Sequence, residues 1–137
     1  MEEMFHVAVK AIIHHKGKVL IIKRSEYDSI NAFIWEIPGG RIHFQEELKD
    51  ALSREVKEET GLIVSVGDIL YATNCEFYET RHCVIISYLC SIVENAVSLS
   101  EEHTEYIWAN RVQLQEFLHK PILDDLDRSC VWDKLGL

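Results

Sequence analysis

Three glutamates lie close together near the end of a predicted helix. Glu55, Glu58 and Glu59 belong to the stretch REVKEETG, and Gly61 follows the helix as a residue suited to its C-terminal cap. The carbonyl end of a helix carries partial negative charge, so each exposed carboxylate there costs roughly a few tenths of a kcal/mol. Another interaction must therefore compensate for their position.

The same glutamates continue the apolar stripe of the helix, at about 100° per residue. That stripe consists of Leu48, Ala51, Leu52 and Val56, and the opposite side carries Lys49, Asp50, Ser53, Arg54, Lys57 and Thr60. Glu55 lies three and four residues before Glu58 and Glu59, a spacing that brings side chains together. Convergent carboxylates repel one another unless a cation lies between them, and their oxygens suit Mg²⁺, Mn²⁺ or Ca²⁺. The spacing therefore predicts a divalent metal site.

Strands and further helices must position this helix. Apolar β-branched runs predict strands at 5–15, 17–24, 82–93 and 105–109, with one or two more within 62–79, and a short extended segment broken by Pro-Gly-Gly at 35–42. Helical spacing predicts helices at 46–60, 111–120 and 122–135, the last two separated by Pro121, with polar loops at 25–33 and 95–104. A glycine turn joins the first two strands into a hairpin. The predicted fold class is α/β: a mixed β-sheet flanked by helices in an α/β/α sandwich.

The composition restricts the partners. The chain has 137 residues, a length typical of one domain, and a net charge of −9, which argues against nucleic acid polymers and anionic membranes. Its N-terminus lacks the basic start of a secretory signal, and no apolar run is long enough to span a bilayer. The cysteines have no CxxC spacing, which favours reduced thiols in the cytoplasm; they are Cys75, Cys83, Cys90 and Cys130.

The complete spacing resembles the box of the Nudix hydrolase superfamily, G-x5-E-x7-R-E-U-x-E-E-x-G-U, where U is apolar. The matching positions are Gly40, Glu46, Arg54, Glu55, Val56, Glu58, Glu59, Gly61 and Leu62. The resemblance covers residues 40–62, and it implies a single Nudix domain over residues 1–137 with the box as loop–helix–loop. It also implies the family reaction, in which water attacks a phosphorus of a nucleoside diphosphate linked to another group.

The resemblance further assigns metal ligands. Glu55, Glu58 and Glu59 would bind Mg²⁺ or Mn²⁺ through their carboxylates. Gly40 would bind through its backbone carbonyl, where the absence of a side chain permits close approach. These ions would bridge an acidic site and an anionic polyphosphate.

Catalytic support is implied for other residues. Arg54 would orient a glutamate of the box, and Glu46 would lie at the edge of the metal site or cap the helix. In some family members the general base is the glutamate at the position of Glu55, and in others it comes from a later loop. Here that loop offers Glu101, Glu102 and Glu105. Glu102 is the favoured one, as base or additional metal ligand, against the alternative of a solvated acidic turn.

Three residues outside the box are candidates for substrate binding. Arg24 would bind phosphate with its planar guanidinium, unless it is a surface arginine at a strand end. Trp35 would stack on a base, or else anchor the following turn within the core. Tyr78 matches the place where dinucleoside polyphosphate hydrolases of the family often have a tyrosine. Glu36 would lie either near the metal site or in solvent.

The substrate class depends on residues outside the box. ADP-ribose pyrophosphatases of the family typically have a proline about sixteen residues after the box, and this chain has only Pro38 and Pro121. Its short length most resembles MutT-like nucleoside triphosphate pyrophosphohydrolases. The alternatives are a dinucleoside polyphosphate hydrolase and a non-catalytic nucleotide-binding module. A small-molecule nucleotide is the expected partner, and both a monomer and a homodimer are compatible with the sequence.

Overall fold

The first strand connects the two parts of a mixed sheet. In the structure, a computed structural model that describes residues 2–74 and 81–137, strand β1 (Met4–His15) runs parallel to β6 (Arg81–Glu94). It is antiparallel to the short strand β4 (Gly39–Arg41), and its end forms the predicted hairpin with β2 (Lys18–Arg24). Lys16 and Gly17 turn that hairpin with positive φ angles of 52° and 76°, as the preferred two-residue loops do.

The remaining strands extend the sheet on both sides. Strand β5 (Ile63–Asn74) pairs antiparallel with β6, and β2 pairs antiparallel with both β3 (Trp35–Glu36) and β7 (His103–Ala109). Among the described residues the order is β3-β2-β1-β6-β5, with β4 on β1 and β7 on β2. The predicted strands are confirmed where the structure describes them, although residues 75–79 of the predicted segment 62–79 lie outside the described residues, and β7 begins two residues earlier than the sequence indicates.

Helices cover both faces of the sheet, because β1 and β2 are apolar on both faces. Val9, Ala11 and Ile13 pack on the side of α1 (Leu48–Thr60), and Ile12 packs on the opposite side. That opposite side carries α2 (Arg111–Phe117), α3 (Lys120–Arg128) and α4 (Val131–Leu135). The predicted α/β/α sandwich is therefore confirmed. No helix of the described residues is long and apolar enough to cross a membrane.

Helix α1 ends as predicted but begins two residues later. Gly61 adopts the left-handed conformation with φ of 74°, and its N–H donates to the carbonyl of Lys57 at 2.9 Å. Thr60 lies opposite the apolar stripe in the sequence, where a polar residue is expected to face solvent, but this expectation is wrong because Thr60 is fully buried. Its hydroxyl donates to the Val56 carbonyl at 2.6 Å, and its own carbonyl accepts an N–H bond from Ser98.

The C-terminal region differs from the prediction of one helix over 122–135. It forms α3 and α4, and Cys130 between them has a left-handed φ of 55°, which interrupts the helical path. Pro121 does not separate two helices but lies in the first turn of α3, where its missing N–H removes no intrahelical bond. The predicted helix 111–120 is the shorter α2, which Asn110 and Gln113 begin with a capping box.

We expect Gly39→Ala to destabilise the protein far more than Gly17→Ala. Both glycines have positive φ, but a Cβ at Gly39 would overlap the Val9 carbonyl oxygen and lie 2.8 Å from the Cα of Lys10. A Cβ at Gly17 would meet nothing within 4 Å. Urea unfolding should show a loss of about 3 kcal/mol or more for Gly39→Ala and about 1 kcal/mol for Gly17→Ala. Equal losses would contradict the close packing of β4 on β1.

Candidate active site

Glu59 turns its carboxylate into the protein from the last turn of α1. The residue is 5% exposed, and its Oε1 accepts the backbone N–H of Gly39 at 2.8 Å. Gly39 lies opposite Lys10 in the pairing of β4 with β1. A backbone N–H of strand β4 therefore donates a hydrogen bond to a carboxylate of helix α1, which packs on this face of the sheet.

The burial of Glu59 has an electrostatic consequence. Loss of hydration raises the pKa of Glu59 to about 7, and the charge of Lys10 together with the Gly39 hydrogen bond offsets only part of that rise. The neighbouring carboxylate of Glu36 raises it further. Glu59 is therefore a buried acid whose ionised form would be stabilised by additional positive charge.

The loop before β7 is tied to the C-terminal end of α1. The Ser98 N–H donates to the carbonyl of Thr60 at 2.8 Å, and the Ser100 N–H donates to that of Glu59 at 3.0 Å. These carbonyls have no partner within the helix, so the loop satisfies them. Gly61 permits the approach, since a Cβ there would lie 3.2 Å from the Ser98 nitrogen.

This docking places Glu102 and His103 beside Glu59. One ligand atom from each of the three residues lies within 4.8 Å of the others. The N–H of Ser25 also donates to the Glu102 carbonyl at 2.9 Å, which holds the loop against the end of β2. Carboxylate oxygens and an imidazole nitrogen are a donor set that divalent cations accept, and the raised pKa of Glu59 fits a site that gains a cation.

Arg54 connects the other acids of the helix. Its guanidinium donates to both oxygens of Glu46 at 2.8 and 2.9 Å, to Glu55 at 3.0 Å and to Glu58 at 3.3 Å. The hydrogen bond from Arg54, with one from the N–H of His43, lowers the pKa of Glu46 to about 2. Arg54 thus neutralises part of the charge that the helix end accumulates.

Glu55 lies directly over Gly40. A Cβ at Gly40 would fall 2.6 Å from the Glu55 carboxyl carbon, so any other residue there would displace the Glu55 carboxylate from this position. The side chain of Glu55 is 17% exposed, whereas that of Glu58 is 59% exposed. Glu55 and Glu58 share Arg54, and Glu59 faces Gly39, so the binding of one cation by all three glutamates stays a prediction.

Arg24 lies in a network of charges next to Glu59. Its guanidinium pairs with Glu36 and, at 2.9 Å, with Asp28. These two carboxylates therefore already bind N–H groups of Arg24 that would otherwise be available to a phosphate. Lys10 adds a contact of 3.5 Å to Glu36. Although burial opposes ionisation, the imidazole of His103 and the charges of Lys10 and Arg24 lower the pKa of Glu36 to about 2. Phosphate binding by Arg24 stays a prediction.

Trp35 packs as a core residue at the edge of the second apolar cluster. It is half-buried, its ring lies 5.9 Å from that of Phe117, and its backbone forms a bridge with Leu118. Lys23 places its ammonium 6.0 Å from the ring centre. Tyr78, the third predicted substrate contact, lies outside the described residues.

The positions of Lys10 and His103 in the site are not indicated by the sequence, and the position of Glu36 stayed open between the metal site and solvent. A signal for Glu36 exists in the sequence, because a charge inside the apolar segment WEIP is unusual unless it is paired. A cavity of about 310 Å³ beside the box was also missed; it is lined by Phe5, His6, Val7 and residues 41–46. Phe5 and Phe44 are 68% and 94% exposed there, and no local periodicity predicts that they meet.

Comparisons with known proteins agree with the box. The profile of the NUDIX domain family matches residues 4–130. The ADP-ribose pyrophosphatase of Methanocaldococcus jannaschii is 30% identical over 125 residues, which cover 89% of this chain and 73% of that protein. The CTP pyrophosphohydrolase of Escherichia coli is 40% identical over 60 residues, which cover 44% of each chain.

A solved structure is similar over almost the full length. The crystal structure of the MutT protein from Methanosarcina mazei superimposes with a TM-score of 0.85 and 34% identity. The match covers 98% of this chain and 99% of that chain. The relatives thus share the fold and the family but differ in the nucleotides that their names specify.

In metal-free protein, Glu59→Gln is expected to raise the melting temperature at about pH 8. The folded state binds the Glu59 proton more tightly than the unfolded chain, so the free energy of unfolding falls as pH rises from 4.5 to about 7. Glutamine does not ionise and can still accept the Gly39 N–H bond. Thermal unfolding in a chelator, followed by circular dichroism at about pH 5 and about pH 8, measures the difference, which should shrink at the lower pH.

The matched control is Glu46→Gln. The pKa of Glu46 is lowered from 4.5 to about 2 by Arg54, so its ionised form stabilises the fold above pH 4.5 and that stabilisation is lost as pH falls to about 2. This variant should therefore melt lower than the wild type at about pH 8. A lower melting temperature for both variants would show that Glu59 is not destabilising in the metal-free protein.

Proposed function

This chain belongs to the NUDIX domain family, hydrolases of nucleoside diphosphate-linked compounds, and we propose that its substrates are nucleoside triphosphates, as in MutT-like pyrophosphohydrolases. The observation that carries the proposal is the convergence of Glu59, Glu102 and His103 at the end of the box helix. A buried acid next to a second acid and an imidazole favours binding of a divalent cation. A polyphosphate with adjacent negative charges is a suitable ligand for such a centre.

The cation in this proposal is Mg²⁺ or Mn²⁺, held by Glu55, Glu58, Glu59 and the Gly40 carbonyl. When bound, such an ion neutralises phosphate oxygens and lowers the pKa of a bound water. Arg54 orients Glu55 through their 3.0 Å contact. This support for a carboxylate is what a metal ligand or general base requires.

The proton of the attacking water passes to a carboxylate of this chain. Glu55 and Glu102 are the two candidates, the first supported by Arg54 and the second by its proximity to Glu59. Glu102 belongs to the cluster, and Glu55 lies over Gly40, the neighbour of the residue whose N–H binds Glu59, so both carboxylates are candidates for the general base. The pH dependence of kcat for Glu55→Gln and Glu102→Gln distinguishes them, because loss of the base removes the acidic limb of the profile.

The cavity beside the box is the proposed nucleoside site. Its volume of about 310 Å³ is of the size that small ligands occupy, and it opens next to Glu46, one residue of the Arg54 cluster. Phe5 and Phe44 offer exposed aromatic rings for a base, and Arg41 contributes a positive charge in an acidic chain. Trp35 packs at the edge of the core, so it is the second candidate for stacking on the base, after Phe5 and Phe44.

Two observations bear on the substrate class. The MutT protein of Methanosarcina mazei, matched over nearly its whole length, supports a MutT-like protein, for which the family resemblance implies triphosphates. The similarity to an ADP-ribose pyrophosphatase supports ADP-ribose as a second candidate, despite the absence of the family's typical proline after the box. Dinucleoside polyphosphates and a non-catalytic nucleotide-binding role are further alternatives. A panel of these compounds with Mg²⁺ or Mn²⁺, scored by released phosphate products, decides among them.

The remaining features of the proposal concern the whole chain. Residues 1–137 would act as one domain with its box at 40–62, on a small nucleotide rather than a nucleic acid polymer or a membrane. A cytoplasmic location fits the free thiols of Cys90 and Cys130, two of the described cysteines. Size-exclusion chromatography distinguishes a monomer from a homodimer.

Glu58→Gln is expected to lower kcat by about 100-fold or more while the protein remains folded. The carboxylate is 59% exposed and pairs with Arg54, so its loss removes a proposed metal ligand and little packing. Steady-state hydrolysis of the best substrate in the panel measures the effect. Glu116→Gln, the same change at an exposed helical position outside the box, should retain wild-type kcat. Similar activities of the two variants would remove Glu58 from the metal site.

Phe44→Ala is expected to raise KM by about tenfold with little change in kcat, since stacking of a base on an aromatic ring contributes about 1–3 kcal/mol. Phe33→Ala is the matched control, because Phe33 is also exposed but lies near Lys23 and Trp35, away from the cavity. If Phe33→Ala raised KM more than Phe44→Ala did, the base would bind near Phe33 and Trp35 and not in the cavity.

A further inference from the structure

His103 lies between two buried carboxylates. Its side chain is fully buried, with Nε2 3.7 Å from Glu36 Oε2 and Nδ1 3.8 Å from Glu59 Oε2. Both distances exceed those of a normal hydrogen bond. Within residues 2–74 and 81–137, neither ring nitrogen has a hydrogen-bond partner.

Such an unpaired ring is unusual in a protein interior. Buried polar atoms nearly always have partners, and an unsatisfied one costs about 1–3 kcal/mol. The two carboxylates have other donors: Glu36 binds Arg24 and Lys10, and Glu59 binds the Gly39 N–H. Hydrogen bonds among the described residues therefore do not explain why this imidazole is buried between the two carboxylates.

The backbone holds His103 in this place. It begins β7 opposite Arg24 of β2, and its N–H donates to the carbonyl of Ser100 at 3.3 Å. Ser100 in turn is bonded to the Glu59 carbonyl at the end of α1. The imidazole is thus fixed relative to the very residue that Nδ1 faces.

We propose that His103 is a nitrogen ligand, through Nδ1, of a divalent cation bound by Glu59 at the place where Glu59, Glu102 and His103 converge. The inference rests on the proposed function, since it assumes a cation at this end of α1. The Nε2–H group of His103 would donate a hydrogen bond to Glu36, which leaves the lone pair on Nδ1, the nitrogen that faces Glu59. Carboxylates commonly orient metal-binding histidines in this way. The three ligand atoms, now within 4.8 Å, need only contract toward a common ion.

An imidazole ligand changes which ions the site prefers. Nitrogen donors favour the later first-row ions, whereas Mg²⁺ prefers oxygen and retains water. The wild type should therefore bind Co²⁺ more tightly than Mn²⁺, and Mn²⁺ more tightly than Mg²⁺. His103→Gln should lower Co²⁺ affinity about tenfold or more and Mg²⁺ affinity much less, while a merely structural role would weaken both ions alike.

Pulsed electron paramagnetic resonance of the Mn²⁺-loaded protein, without nucleotide, tests the coordination directly. We expect spin-echo modulation from a coordinated ¹⁴N in the wild type, replaced by a ¹⁵N signal when histidine is ¹⁵N-labelled. The signal should disappear in His103→Gln and persist in His43→Gln, whose imidazole is 67% exposed. His103→Asn, which keeps an amide near the position of Nδ1, serves if the glutamine variant does not fold.

Two results would overturn the inference. One is Mn²⁺ bound to labelled wild-type protein without a histidine nitrogen signal, and the other is a signal that persists after substitution of His103. Hydrolysis in the same samples separates this failure from that of the proposed function. Turnover with bound Mn²⁺ but no nitrogen signal excludes only His103 as a ligand, whereas absence of both Mn²⁺ binding and turnover excludes the metal-dependent function as well.

Discussion

The carboxylate of Glu59 is buried at the junction of helix and sheet, and the candidate site is organised around its unfavourable charge. Removal from water raises the pKa of Glu59 to about 7, even with Lys10 nearby and the Gly39 N–H bonded to Oε1. Protein interiors rarely retain such a group unless another ligand stabilises its ionised form. A divalent cation does so, and the same cation can bind the phosphates of a nucleotide.

Backbone hydrogen bonds bring Glu102 and His103 to this charge. The carbonyls at the end of α1 need donors, and the loop before β7 supplies them from Ser98 and Ser100. Because Gly61 has no side chain, the loop can approach closely enough to form both bonds. The helix terminus therefore determines where Glu102 is placed, and a requirement of secondary structure also assembles the site.

The negative charges at the C-terminal end of α1 are compensated in two different ways. Arg54 neutralises the outer acids Glu46, Glu55 and Glu58 by direct contacts of 2.8–3.3 Å. Glu59, on the inner side, has only partial compensation from the protein. This division gives a site whose outer part is structured by the chain itself and whose inner part gains most from a bound cation.

The sequence by itself determined the elements whose signals are local. The box spacing, the end of α1 at Gly61, the hairpin at Gly17 and the apolar β-branched strands follow from short-range patterns and from the conformational freedom of glycine. Two local expectations were wrong. Thr60 is buried because a loop from outside the helix packs on it. Cys130 adopts a left-handed conformation, which the intrinsic preference of cysteine does not indicate. Only the tertiary structure decided that Glu59 faces Gly39, that Arg24 pairs with Glu36, and that His103 lies between two acids. Those contacts depend on strand register and on burial between residues distant in the chain, and the helical and strand periodicities of a single segment carry no information about either.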